Sequence, residues 1–137
     1  MKRLHIHVAV EDLEQSIRFY SSLFATPPAK TKGDYAKWML DDPFLNFSVD
    51  LHGDGEPGSA HFGVQQTDAG MLTAARARLD DAALPRDDQD DLVCGYQLQS
   101  KSWVFGPDGE AWEFFYTEGL APEGTYGCED MPDSCGC

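Results

Sequence analysis

Polar and apolar residues alternate between Leu4 and Val10. His5 and His7 fall on one face and Ile6, Val8 and Val10 on the other, which predicts a half-buried strand. Asp12, with Gln15 three residues on, resembles a capping box. Behind it Leu13, Ile17, Tyr20 and Phe24 recur at helical spacing. Pro27-Pro28 ends that helix. Three short strands are expected next: Ala29 to Lys32, Tyr35 to Leu40, and Phe44 to Leu51 after an Asp42-Pro43 turn.

The same order then restarts. Residues 53–59 read as a linker rich in Gly, Pro and acid. A strand is expected from Ala60 to Gln66, then a cap at Thr67 or Asp68, then a helix carrying Leu72, Ala75 and Leu79 that Pro85 breaks. Strands are expected around Leu92 to Gln97, Lys101 to Phe105 and Ala111 to Thr117. The last two form a hairpin through Pro107-Asp108-Gly109. The chain thus reads as one domain over residues 1–118, with modules 1–52 and 60–118. Residues 119–137 are expected to form a flexible acidic tail that carries cysteines.

Composition narrows the function. The 137 residues suit one domain with a real core, and the apolar fraction of 42% is that of a soluble protein. No apolar run approaches the ~20 residues that span a bilayer. The formal net charge of −14 argues against nucleic acid or an anionic membrane as partner, because both require basic patches. Met1-Lys2-Arg3 is basic, but no apolar stretch of signal-peptide type follows, so a cytoplasmic location is expected. Cys94 lies inside the domain, while Cys128, Cys135 and Cys137 crowd the last ten residues. That distribution is a poor disulfide framework and suits soft-metal ligands or redox-labile thiols.

His5 and His61 each open an apolar strand, and an aspartate that can begin a helix follows each by seven residues (Asp12, Asp68). Glu113 sits in a third strand. Two imidazoles and one carboxylate on separate strands are the ligand set of a facial triad, which holds a divalent ion and leaves its opposite positions open.

The doubled βαβββ pattern, the restart at His61 and the ending Pro107-Asp108-Gly109 with Trp112-Glu113-Phe114 together resemble the vicinal oxygen chelate superfamily. The superfamily includes glyoxalase I, extradiol dioxygenases and fosfomycin or bleomycin resistance proteins. The resemblance implies an α+β fold in which two tandem modules form a curled mixed sheet around a metal-binding cavity. It also implies His5, His61 and Glu113 as the ligands. The seven-residue offset to Asp12 matches His5, so His7 is expected to line the pocket without coordinating. Glyoxalase I takes a fourth ligand, a glutamate, from the last strand of its first half. That strand has none here, and Asp50 is a conceivable substitute. A base-driven isomerase is therefore disfavoured and iron(II) with oxygen chemistry favoured, although another divalent metal would also fit the set.

Two stretches are similar to one branch of that superfamily, the carbon–arsenic lyases and the cadmium-inducible proteins related to them. They are Tyr35-Ala36-Lys37-Trp38-Met39-Leu40-Asp41-Asp42-Pro43 and Cys94-Gly95-Tyr96-Gln97-Leu98-Gln99-Ser100-Lys101-Ser102-Trp103-Val104. This resemblance implies an iron(II)-dependent dioxygenase that splits carbon from trivalent arsenic. Cys94 would hold the arsenic, with Tyr96 and His7 beside the substrate. Gly95 stands where the lyases carry a second cysteine, so Cys128, Cys135 or Cys137 would have to supply the other thiolate. Left standing are a heavy-metal-binding protein that sequesters cadmium or arsenite without catalysis, an extradiol enzyme acting on an organic substrate, and Cys94 as a small core residue. A small-molecule or soft-ion partner and a homodimer are expected.

Overall fold

The computed structural model describes residues 1–52 and 55–122. Its elements run β1 (Arg3–Ala9), α1 (Leu13–Leu23), β2 (Lys30–Lys32), β3 (Tyr35–Asp41) and β4 (Phe44–Asp50). The second set is β5 (Ala60–Gln65), α2 (Ala69–Asp81), β6 (Asp87–Cys94), β7 (Gln97–Phe105) and β8 (Ala111–Leu120). All eight strands join one sheet in the order β2-β3-β4-β1-β5-β8-β7-β6. Each half repeats one plan: its first strand pairs in parallel with its last (β1 with β4, β5 with β8), and β1 pairs antiparallel with β5 to join the halves. This is the curled mixed sheet of the vicinal oxygen chelate fold. No helix of the described residues is long and apolar enough to cross a membrane.

The two helices start as their sequences predict. Asp12 is extended and its Oδ1 accepts the Gln15 N–H at 2.9 Å; Asp68 does the same for Met71 at 2.9 Å. Each aspartate satisfies one of the orphan donors of the first turn. The apolar stripe of α1 packs on the convex face of β3 and β4, where Ala36, Trp38, Phe47 and Val49 are buried against Ile17, Tyr20 and Phe24. The Tyr20 and Phe47 rings lie 4.5 Å apart, and Trp38 Nε1 donates to the Thr26 carbonyl at 3.1 Å. Burial of each large side chain in this layer stabilises the fold by roughly 1.5–3 kcal/mol. On α2, Leu72, Ala75 and Leu79 are the buried face, as their spacing predicts.

With the apolar positions facing the helices, strand alternation sends the intervening polar residues to the concave face. His5 and His7 are therefore buried on the side opposite Ile6 and Val8. At the open side of the curl the two halves meet again, where Tyr35 of β3 packs with Leu92 and Cys94 of β6 and with Tyr96.

Three boundaries differ markedly from the sequence reading, the first being that β7 begins at Gln97 and not at Lys101. The strand expected from Leu92 to Gln97 instead spans Asp87–Cys94, because Gly95 and Tyr96 (φ 55° and 66°) make the hairpin turn into β7. Its aspartates suit an edge strand: Arg76 Nη2 holds Asp90 at 2.7 Å and Ser102 Oγ donates to Asp88 at 2.6 Å. The final strand continues past Thr117 to Leu120, because Gly119 and Leu120 still pair with Leu98 and Gln97 of β7.

Candidate metal centre

Register brings the predicted ligands together. Across the seam His5 stands opposite Gly63 and His7 opposite His61, and on the other side of β5 Gly63 stands opposite Glu113. Gly63 has no side chain, so the His5 imidazole and the Glu113 carboxylate meet over it. Glu113 Oε1 lies 3.1 Å from His5 Nε2 and 3.6 Å from His61 Nε2. Among the described residues, His5, His61 and Glu113 form the set whose ligand atoms all lie within 4.8 Å of one another. Glu113 is 1% exposed, His5 4% and His61 9%, so the site excludes bulk water.

The donor chemistry fits a cation. His5 Nδ1 lies 3.1 Å from the Asn46 carbonyl oxygen, which can only accept, so Nδ1 carries the proton and Nε2 turns its lone pair to Glu113. Neither His5 Nε2 nor His61 Nε2 has a partner of hydrogen-bonding geometry despite the short distances to the carboxylate. Lone pairs and a carboxylate gathered at this range in a buried site repel one another unless a proton or a metal ion lies between them.

Lys101 completes the electrostatics. Its side chain is 1% exposed, and Nζ lies 2.9 Å from Glu113 Oε2 and 3.2 Å from Cys94 Sγ. The ammonium occupies one carboxylate oxygen and leaves the other to the histidines. Burial alone would raise the Glu113 pKa, but Lys101 first, with His5 and His61, outweighs it and holds the carboxyl well below its ordinary range. The His61 pKa falls to about 4, chiefly through burial, which exceeds the opposing pull of Glu113. His61 is therefore neutral at ordinary pH, with a lone pair free for a cation. Sequence reading did not single out Lys101. The available signal was its place between Gln99 and Trp103 on the inward face of a strand beside Glu113.

His7 lies beside the triad and outside it. Its ring stacks on His61 at 4.9 Å, Nδ1 meets Ser48 Oγ at 2.6 Å, and Nε2 lies 3.3 Å from Asp50 Oδ1. Asp50 accepts the His52 N–H at 3.2 Å and faces His7, so the structure does not bring this substitute carboxylate into the triad. The parallel registers show why. Gly63 faces Glu113 in the second half as His7 faces Ser48 in the first, so Ser48 holds the position equivalent to Glu113.

Cys94 is buried at 2% exposure next to Lys101 and is disulfide-bonded here, which differs from the free thiol that its sequence context suggests. Cys128, Cys135 and Cys137 lie outside the described residues. The Tyr96 hydroxyl donates to Asp34, and burial followed by that carboxylate raises the phenol's pKa above its ordinary value. A Cβ at Gly95 would lie 3.2 Å from the Tyr35 hydroxyl at a φ of +55°, so space and backbone both favour glycine where the lyases have cysteine.

The paired βαβββ modules and a buried His-His-Glu cluster on the concave face define a vicinal oxygen chelate protein. No protein-family model matches the chain. Individual proteins do. It is 41% identical over 125 residues to the trivalent organoarsenical cleaving enzyme of Bacillus sp. (strain MD1), covering 90% of this chain and 78% of that one. It is 38% identical over 128 residues to the cadmium-induced protein CadI of Mycobacterium tuberculosis, covering 93% and 82%. Among solved structures, homoprotocatechuate 2,3-dioxygenase from Arthrobacter globiformis superposes with a TM-score of 0.60 at 16% identity, over 88% of this chain and 36% of that one. The chain belongs to the family of trivalent organoarsenical cleaving enzymes and cadmium-induced proteins.

Proposed function

We propose that this protein is an iron(II)-dependent dioxygenase that cleaves the carbon–arsenic bond of trivalent organoarsenicals, with His5, His61 and Glu113 as the metal ligands. The observation that carries the proposal is the His5 Nε2 lone pair facing the Glu113 carboxylate at 3.1 Å in a buried site. When bound there, iron(II) supplies the one-electron chemistry that allows dioxygen to oxidise an organic substrate.

The chain's own residues do the rest. Asn46 fixes the His5 tautomer, and the low pKa of His61 keeps that ring a free base. Lys101 keeps Glu113 ionised and turns one of its oxygens toward the histidines. His61 lies edge-on to Trp103 at 5.2 Å and His5 to Phe115 at 5.1 Å, and these rings keep water from the ligands. Reduced Cys94 is the arsenic-binding group, since trivalent arsenic is soft and prefers sulfur. The ammonium that touches Glu113 also touches Cys94 Sγ, so a substrate held on this sulfur lies next to the triad. A tail cysteine provides the second thiolate that Gly95 does not. His7 and Tyr96 border the substrate. Oxygen uptake by the reduced, iron(II)-loaded protein should rise with a trivalent organoarsenical and stay at baseline with a catechol. Uptake with catechol alone would make it an extradiol enzyme.

Gly95 favours one other reading, stoichiometric capture of cadmium or arsenite by Cys94 and the tail thiols. Tight thiol-dependent binding without oxygen consumption would establish it.

A further inference from the structure

A group of lysines gathers at the turn that follows Cys94 and takes no part in the triad. In the β2–β3 pair Lys30 stands opposite Lys37 and Lys32 opposite Tyr35, and register partners share a face. Their contacts identify that face as the concave one. Lys37 Nζ donates to Gln97 Oε1 at 2.9 Å, and Lys30 Nζ approaches the Gly95 carbonyl at 3.5 Å. Lys30 and Lys32 also hold their ammoniums over the Tyr96 ring, 5.3 and 5.5 Å from its centroid. These partners are the two residues of the turn that follows Cys94 and the first residue of β7.

The charge distribution is unusual for this chain. It carries 24 Asp and Glu against 10 Lys and Arg, yet the ion pairs of the described residues go to Arg3, Arg76, Arg86, Lys101 and histidines. None goes to Lys30, Lys32 or Lys37. Lys37 is only 7% exposed and has a neutral amide for its partner, an arrangement that costs free energy unless a counter-charge arrives. Burial first, then the charge of Lys30, lowers its pKa to about 8; Lys30 is lowered by burial and then by Lys32. The lysines repel one another, and what would relieve all three is a shared anion.

We propose that Lys30, Lys32 and Lys37 form an anion-binding rim that selects substrates bearing a carboxylate remote from the atom held by Cys94. The carboxylate could belong to the organic group on arsenic or to a small thiol bound to arsenic in place of a second cysteine. The substrate identity rests on the arsenical reading; the rim itself does not.

Calorimetric titration of the full-length reduced protein separates these cases. Trivalent 4-carboxyphenyl arsenical should bind about tenfold more tightly than trivalent phenyl arsenical, and the gap should vanish in the Lys30→Gln/Lys37→Gln variant. Phenyl arsenical premixed with mercaptoacetate, compared with mercaptoethanol, tests the thiol source in the same way. Lys32→Gln alters an exposed side chain without threatening the fold and should narrow the gap by itself. Equal affinities in the parent for both pairs, or a gap that survives the substitutions, would overturn the rim. If no arsenical binds, lysine-dependent binding of benzoate keeps the rim and discards the arsenical reading. Benzoate binding that is absent or independent of the lysines discards both.

Discussion

A Cβ on Gly63 would fall 2.6 Å from the carbonyl oxygen of Glu113 and 2.7 Å from its Cγ, with His5 Cδ2 at 3.4 Å. The backbone oxygen cannot yield cheaply, so an added methyl must push β5 and β8 apart or turn the carboxylate away. Gly63→Ala should therefore weaken iron(II) binding at least tenfold and cost about 1–3 kcal/mol of stability. Stoichiometric metal titration and urea unfolding measure the two effects. Unchanged affinity would mean that the carboxylate position is not set by this contact.

Lys101→Met leaves Glu113 buried without its ammonium. Loss of one partner of a buried pair costs about 3–5 kcal/mol, and a bound divalent ion would replace part of the missing charge. The variant should melt well below the parent, and added manganese(II) or iron(II) should raise its melting temperature more than the parent's. Equal metal-induced shifts would show that Lys101 and the ion do not share Glu113.

His61 gives the metal-free protein an acid sensitivity. Above pH 6.5 its folded and unfolded forms are both neutral and it contributes no cost. As pH falls toward its folded value of about 4, the unfolded chain takes up a proton that the folded one refuses. Stability should therefore drop across that window by about 3 kcal/mol. Urea midpoints between pH 7 and 4 should show the slope, and His61→Gln should flatten it. A slope that persists in the variant assigns it to other groups.

Lys37 acts in the alkaline range. Below its folded pKa of about 8 both states are protonated and the full cost of the buried charge is present. Between that value and the ordinary 10.5 only the unfolded chain keeps the proton, so stability rises with pH. Lys37→Met should stabilise the protein at pH 7 by about 2 kcal/mol and remove the rise. The same urea series extended to pH 10 measures it. A less stable variant would mean that the Gln97 contact outweighs the desolvation of the ammonium.

A homodimer is the expected assembly, since a curled sheet of this kind leaves broad faces and two edge strands. Light scattering at micromolar concentration should give twice the chain mass; monomer alone at that concentration would overturn the expectation.

Much of this arrangement is legible in the sequence. The period of two in β1 assigns His5 and His7 to the face away from α1, and the repeated helix starts at Asp12 and Asp68 align His5 with His61. What alternation cannot supply is the neighbour across a ladder. Lys101 and Glu113 become partners only through the β7–β8 pairing, and Gly63 becomes the spacer only because β5 runs parallel to β8. The acidic run Asp87 to Asp91 misleads for a related reason. Low strand propensity is overridden at an edge, where the side chains reach solvent and the arginines of α2 and its following loop.

The equivalence of Ser48 and Glu113 makes the protein a broken symmetry. Two matched halves would each contribute a histidine and a carboxylate and surround an ion from four corners. Here one corner carries a hydroxyl turned toward His7. The first half thus offers no matching carboxylate, and under the proposed function this asymmetry, rather than any added part, would leave room for reactants. Placing a carboxylate at position 48 would complete the enclosure and fill the position that the proposed chemistry leaves to reactants.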